Sequence, residues 1–159
     1  MQLVFMCLFV SGITVFDQLT KWLTVTKIPL YGHVRVIDGL FHFTNVKNFG
    51  AAFSSLEGMR WLFVVIFAAL TVLIIWEYRK KAMPFNTFER WCIMAIYGGG
   101  LGNVIDRVRL GYVVDMIEVD FMEFAVFNVA DCFITCGCIA LIASLVFVNK
   151  EFWKSEKKR

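Results

Sequence analysis

Met59-Arg-Trp-Leu-Phe-Val-Val-Ile-Phe-Ala-Ala-Leu-Thr-Val-Leu-Ile-Ile-Trp76 carries one charge, Arg60, at its second position and none after it. About 20 helical residues cross the hydrocarbon core of a bilayer, so this stretch reads as a membrane span. Three more stretches read the same way, at roughly 3–22, 91–107 and 126–148. The third is the most polar and crosses only if neighbouring helices shield its far end. The first lacks the basic start and small-residue cleavage site of a signal peptide, and is expected to be retained. The whole 159-residue chain agrees: 59% of its residues are hydrophobic and 18% charged, with a mean hydropathy of +0.69. A soluble domain has about 45–50% apolar and about 25% charged residues, so the excess needs a non-aqueous home. One domain, residues 1–159, is expected.

Charge placement sets an orientation. Arg79, Lys80, Lys81 and Arg90 lie between spans two and three, and Lys150, Lys154, Lys157, Lys158 and Arg159 follow span four. Basic loops stay in the cytoplasm, which places both termini inside. Lys27, Arg35, Lys47 and Arg60 oppose this, but over a longer loop. All five tryptophans fall at expected water–lipid boundaries, Trp22 and Trp61 outside and Trp76, Trp91 and Trp153 inside, where an apolar ring with a wet N–H is favoured. The net charge of +3 is too small and scattered to indicate a nucleic-acid partner.

The external segment at about 28–55 contains His33-Val-Arg-Val-Ile37 and Leu40-Phe-His-Phe-Thr44, which alternate with the period of a strand around the turn signal Asp38-Gly39. It reads as a small β-ribbon on the outer surface, with His33 and His42 as polar positions of that ribbon. Cys7, Cys92, Cys132, Cys136 and Cys138 all sit in apolar stretches. Their odd number and lack of a neighbouring histidine argue against a disulfide framework or a metal site, and buried thiols behave as small hydrophobes.

Ionisable residues inside spans are costly and therefore informative. Asp17 and Lys21 stand four apart near the outer end of span one and read as an i,i+4 ion pair near the headgroups. Asn103, Asp106 and Arg107 close span three, Asp115 follows in Val113-Val-Asp-Met-Ile117, and Asn128 and Asp131 open span four. The orientation brings all of these to one membrane face and leaves mid-bilayer without ionisable groups. That speaks against a transporter or channel. Asn128-Val-Ala-Asp131 also reads as a helix cap, where the dipole favours an acid. Asp115, among apolar neighbours that raise a carboxyl pKa, has no such structural excuse. Two carboxyls in unlike surroundings, one protonated and one ionised, are what water activation by an aspartate pair requires. Residues alone leave open whether the pair is catalytic or a set of caps and salt bridges in a non-catalytic assembly factor. Gly98 and Gly102 form a small-xxx-small packing pair, and the small residues of Asn48-Phe-Gly-Ala-Ala-Phe-Ser54 permit close backbone approach.

Five blocks together resemble the lipoprotein signal peptidases (signal peptidase II), bacterial membrane aspartyl peptidases. They are Phe16-Asp-Gln-Leu-Thr-Lys21, Asn48-Phe-Gly-Ala-Ala-Phe-Ser54, Gly98-Gly-Gly-Leu-Gly-Asn-Val-Ile-Asp-Arg107, Gly111-Tyr-Val-Val-Asp115 and Phe127-Asn-Val-Ala-Asp131. Gly100 replaces the usual alanine and Met116 the usual phenylalanine. The resemblance implies an all-α membrane protein with four transmembrane helices and a small extracytoplasmic β-cradle. It implies Asp115 and Asp131 as the catalytic pair, with Asp17, Lys21, Asn48, Gly99, Asn103, Arg107, Asn128 and Ala130 binding substrate or supporting the site. It implies a monomer in the bacterial cytoplasmic (inner) membrane, with its site near the outer face and no metal or cofactor. Its partners would be membrane lipid and a prolipoprotein carrying a diacylglyceryl group, cut on the amino side of the lipidated cysteine. The segment 116–124, with Glu118, Asp120 and Glu123 among apolar residues, reads either as an amphipathic flap or as a fixed turn.

Overall fold

A computed structural model describes residues 2–50, 58–150 and 152–153. Four helices and three strands follow in the order α1 (Gln2–Lys27), β1 (His33–Ile37), β2 (Phe41–Asn48), α2 (Arg60–Lys80), α3 (Thr87–Arg109), β3 (Val113–Val119) and α4 (Val129–Ala143). A π-helical turn, Ser144–Val148, continues α4. Residues 51–54 of the small-residue block, and Lys154, Lys157, Lys158 and Arg159 of the basic tail, lie outside the described residues.

Among the described residues three helices are long and apolar enough to cross a membrane: Gln2–Lys27, Arg60–Lys80 and Val129–Val148. With 23 residues α3 has the length, but its composition is more polar because it is the centre of the bundle, packed against α1, α2 and α4. Its glycine run makes this possible by presenting a different bare position to each neighbour. A Cβ on Gly98 would press on Ile13 of α1, one on Gly99 would meet the Ala130 carbonyl and Ile134 of α4, and one on Gly100 would meet the Phe67 ring of α2. Lipid-like surroundings are written on the outer faces: Val65 and Val72 of α2 are 64% and 66% exposed, and no residue of α2 is buried. Inside, Thr14 donates to the carbonyls of Val10 and Gly98 at 3.0 and 3.2 Å, so its hydroxyl is satisfied without water. Among the described residues every buried side-chain N or O atom has a hydrogen-bond partner.

The ribbon is present, with His33 opposite Thr44 across an antiparallel pair. A third strand completes it in the order β1-β2-β3. β3 pairs with β2 so that Val46 faces Asp115 and Asn48 faces Val113. Residues Val113 to Met116 are all buried, so the run is buried on both faces and lacks the alternation that marks β1. This answers the question of the 116–124 segment in part: Met116 to Val119 are strand, not flap. Phe127 then pairs with Ile117, which is why α4 begins at Val129 and not at 126.

Candidate active site

Asp115 sits mid-strand in β3, 2% exposed, with Asn48 of β2 diagonal to it on the same sheet face. Asn48 Nδ2 donates to Asp115 Oδ2 at 2.8 Å, while Asn48 Oδ1 accepts the Gly50 N–H at 2.9 Å. The bridge between Ile117 and Phe127 carries Asn128 up to the strand, where its Nδ2 donates to Asp115 Oδ1 at 2.6 Å. Both oxygens of Asp115 therefore meet an asparagine amide.

Asn128 is also the N-cap of α4, and Asp131 is the third residue of that helix. Asn128 Oδ1 accepts the Asp131 N–H and Asp131 Oδ2 accepts the Asn128 N–H, each at 3.0 Å. The other oxygen, Oδ1, accepts Asn103 Nδ2 at 2.8 Å. The helix-cap reading of Asp131 is thus correct but incomplete, because the cap uses one oxygen and the second faces the site. A single asparagine, Asn128, holds both carboxyls.

Beneath the pair lies a buried ionic cluster. Lys21 Nζ reaches Asp17 Oδ2 at 2.8 Å, Asp106 Oδ2 at 3.0 Å and Asn103 Oδ1 at 2.9 Å. Asp17, Lys21 and Asp106 are 0%, 3% and 3% exposed. The i,i+4 ion pair of Asp17 and Lys21 expected from the sequence is present. It is buried, and Asp106 and Asn103 complete the coordination of the ammonium. Asp17 Oδ1 also accepts the Ala130 N–H at 3.0 Å, tying α1 to the start of α4. Gly99 packs under the Ala130 carbonyl. Arg107 lies 4.2 Å over the Phe63 ring, and its Nη2 donates to the Gly50 carbonyl at 2.9 Å.

All ten residues named from the sequence fall in or against this one network. Gln18, in the Phe16–Lys21 block, joins the network without any sequence signal of its own; its Nε2 donates to Asp106 Oδ1 at 2.9 Å and to the Gly102 carbonyl at 3.2 Å. Asp106 does more than close α3: it also accepts the Val114 N–H at 3.2 Å and so anchors β3 to α3. Neither role is visible without the fold that joins α1, α3 and β3.

The expectation that every buried polar group gathers at one end is overturned. Glu89, 0% exposed, lies near the opposite end of α3, 14 residues or about 20 Å from Asn103. It forms a capping box with Asn86 and accepts from Ser144 Oγ at 2.8 Å and Asn149 Nδ2 at 2.7 Å. Glu89 borders neither of the two cavities described here, whereas Asp115 and Asp131 border a single cavity of about 730 Å³. Its wall is otherwise largely apolar, from Phe63, Phe67, Leu70, Ile96 and Ile134, with Arg107 and Asn48 at the polar end.

Burial pushes the Asp115 carboxyl up to about 6, and the charge of Asp131 adds to the rise. The hydrogen bonds from Asn48 and Asn128 and the charge of Lys21 oppose it. Two carboxyls open to one cavity, one of them easily protonated near neutrality, can hold a water between them and exchange a proton with it. Among the described residues no cluster of three or more His, Cys, Asp or Glu has the arrangement to hold a metal ion.

Apolar helices around a cavity that two carboxyls border fit a membrane enzyme. The family model of signal peptidase (SPase) II matches residues 9–147, and the chain belongs to that family. It is similar to the lipoprotein signal peptidase of Streptococcus pyogenes serotype M2 (strain MGAS10270), with 44% identity over 144 residues covering 88% of this chain and 87% of the relative. The protein of the same name from serotype M5 (strain Manfredo) is 43% identical over the same shares. Two solved structures described as bacterial membrane enzymes superpose with TM-scores of 0.84 and 0.80 at 31% and 32% identity. The first covers 92% of this chain and 90% of its own, the second 91% and 94%. The chain is therefore a bacterial membrane peptidase of the kind that removes signal peptides from prolipoproteins.

Proposed function

We propose that this peptidase hydrolyses diacylglyceryl-modified prolipoproteins on the amino side of the lipidated cysteine, with Asp115 and Asp131 as its catalytic pair. One observation carries the assignment of the pair: Asn128 donates to Asp115 from its side chain and to Asp131 from its backbone, where both carboxyls border the same cavity. The capping box of Asn86 and Glu89 likewise pairs an asparagine with an acid but borders neither of the two cavities, so capping alone does not account for the pair at Asp115 and Asp131.

In this reading α3 is the fourth span, both termini are cytoplasmic and the sheet lies against the outer face of the membrane. The apolar wall between α2 and α4 receives the signal segment, the diacylglyceryl chains remain in lipid, and the scissile bond comes to the polar end. Asp131, as carboxylate, takes a proton from a water that attacks the scissile carbonyl carbon. Asp115, protonated, donates to the carbonyl oxygen. The tetrahedral diol collapses when the proton on Asp131 passes to the amide nitrogen, the C–N bond breaks, and Asp115 recovers its proton from the hydroxyl. No covalent enzyme intermediate forms.

The substrate class is tested by incubating the purified chain with one precursor in two forms, with and without the diacylglyceryl group. Cleavage before the cysteine is expected only in the lipid-modified form. Equal cleavage of both forms would contradict the proposal.

A further inference from the structure

A second cavity, of about 340 Å³, lies where α2 ends and α3 begins, at the end of the bundle away from the aspartates. Apart from Leu70 it shares no lining residue with the first cavity. Leu73, Ile74, Ile93 and Met94 form its body, and Glu77 and Arg90 supply charge at one end. Such a shape suits an amphiphile with an apolar chain and a polar head.

The charges at the mouth decide the sign of that head. Arg90 gives Nη1 and Nη2 to the two oxygens of Glu77 at 3.2 and 3.3 Å, and Nε to the Phe85 carbonyl at 3.3 Å. Glu77 thus cancels the charge of Arg90, but two of the five guanidinium N–H groups stay available. Arg79 and Lys80 end α2 and Lys81 is its C-cap, within one turn of the lining residues Glu77 and Tyr78; all three are exposed and, among the described residues, without an ion-pair partner. A head with a positive charge, such as the basic start of a signal peptide, is repelled here, and a zwitterion gains little. An anionic head is attracted. Trp76 and Tyr78, 51% and 41% exposed, stand at the lip, where amphipathic rings mark headgroup depth.

We propose that this cleft is a binding site for an anionic phospholipid, one acyl chain lying along Leu73, Ile74, Ile93 and Met94 and the phosphate over Arg79, Lys80, Lys81 and the free N–H groups of Arg90. The test uses the full chain in detergent and native mass spectrometry, with phosphatidylglycerol and phosphatidylcholine of identical acyl chains as probes. The unmodified chain is expected to retain phosphatidylglycerol about tenfold better or more, on the order expected for three basic groups near an anionic head. Replacing Arg79, Lys80 and Lys81 together by alanine should bring the two lipids close to parity. Leu73→Trp, which fills the groove and leaves the charges, should reduce retention of both. Equal retention by the unmodified chain overturns the proposal, as does full preference in the triple variant. Unchanged retention in Leu73→Trp overturns it by showing a surface effect without the groove. Displacement of phosphatidylglycerol by a synthetic apolar peptide with a lysine-rich start overturns it by assigning the groove to substrate.

Discussion

Three asparagine amides set the way the two aspartates meet the cavity. In each, the carboxamide oxygen is already taken: Asn48 by the Gly50 N–H, Asn103 by Lys21 and Asn128, and Asn128 by the Asp131 N–H. Their NH2 groups are therefore turned toward the carboxyls, and Lys21 reaches Asp131 through Asn103, which accepts from the ammonium and donates to the carboxyl. This sets the sign of a pH prediction. Burial raises the carboxyl of Asp115 to about 6, and the proposed acid must carry its proton, so kcat/KM should fall as pH rises through this region. The Asn48 hydrogen bond lowers the same carboxyl. Asn48→Ala should therefore move the descending limb to higher pH, measured as kcat/KM against pH on a lipid-modified precursor. A limb that ascends through this range, or one unmoved by Asn48→Ala, would contradict the assignment of Asp115. Cys132 borders the same cavity but takes no part in this scheme, so Cys132→Ala should keep activity within about threefold, since exchange of one small apolar group seldom costs more outside a packed core.

At the scale of elements, the glycine run makes α3 the hub of the bundle, and its positions are not equivalent. A Cβ on Gly99 would drive into the Ala130 backbone carbonyl at the start of α4, which has no freedom to retreat, whereas one on Gly100 would meet the outer edge of the Phe67 ring. Gly99→Ala should cost about 1–3 kcal/mol, the usual range for overpacking, and Gly100→Ala clearly less, as thermal midpoints in detergent would report. A larger loss at Gly100 would show that α2, not α4, is the rigid neighbour. The elements also show what the sequence made legible. His33-Val-Arg-Val-Ile37 alternates and reads as a strand, and Met59 to Trp76 reads as a helix. β3 was missed because Val113, Val114 and Met116 are buried on both faces and so erase the two-residue period. Burial of Glu89 was missed because its partners, Ser144 and Asn149, lie more than 50 residues away. Asp115 and Asp131 stood out because an acid among valines, and an acid opening an apolar helix, are costly enough to be noticed singly. Gln18 and Asp106 needed the tertiary contact to acquire a meaning.

The whole molecule is a bundle whose polar chemistry is split between two ends, a carboxyl pair open to a cavity at one and a closed capping cluster at the other. The proposed orientation puts the β1–β2 turn outside and the α2–α3 connection inside. In a background with the native cysteines replaced, Asp38→Cys should react with a membrane-impermeant maleimide on intact cells, and Lys81→Cys only after lysis. The reverse pattern would invert the topology. The central claim is that Asp115 and Asp131 together activate the water, and single-turnover cleavage of a lipid-modified precursor by Asp115→Asn and Asp131→Asn tests it most directly. An asparagine matches either carboxyl in shape but keeps only one of the two acceptor oxygens, so both variants should fold, with thermal midpoints somewhat below that of the unmodified chain. Each should lose at least about 10²-fold in the rate of cleavage, the lower end of what acid–base catalysis supplies. Either variant folded and cleaving at close to the original rate would contradict the account.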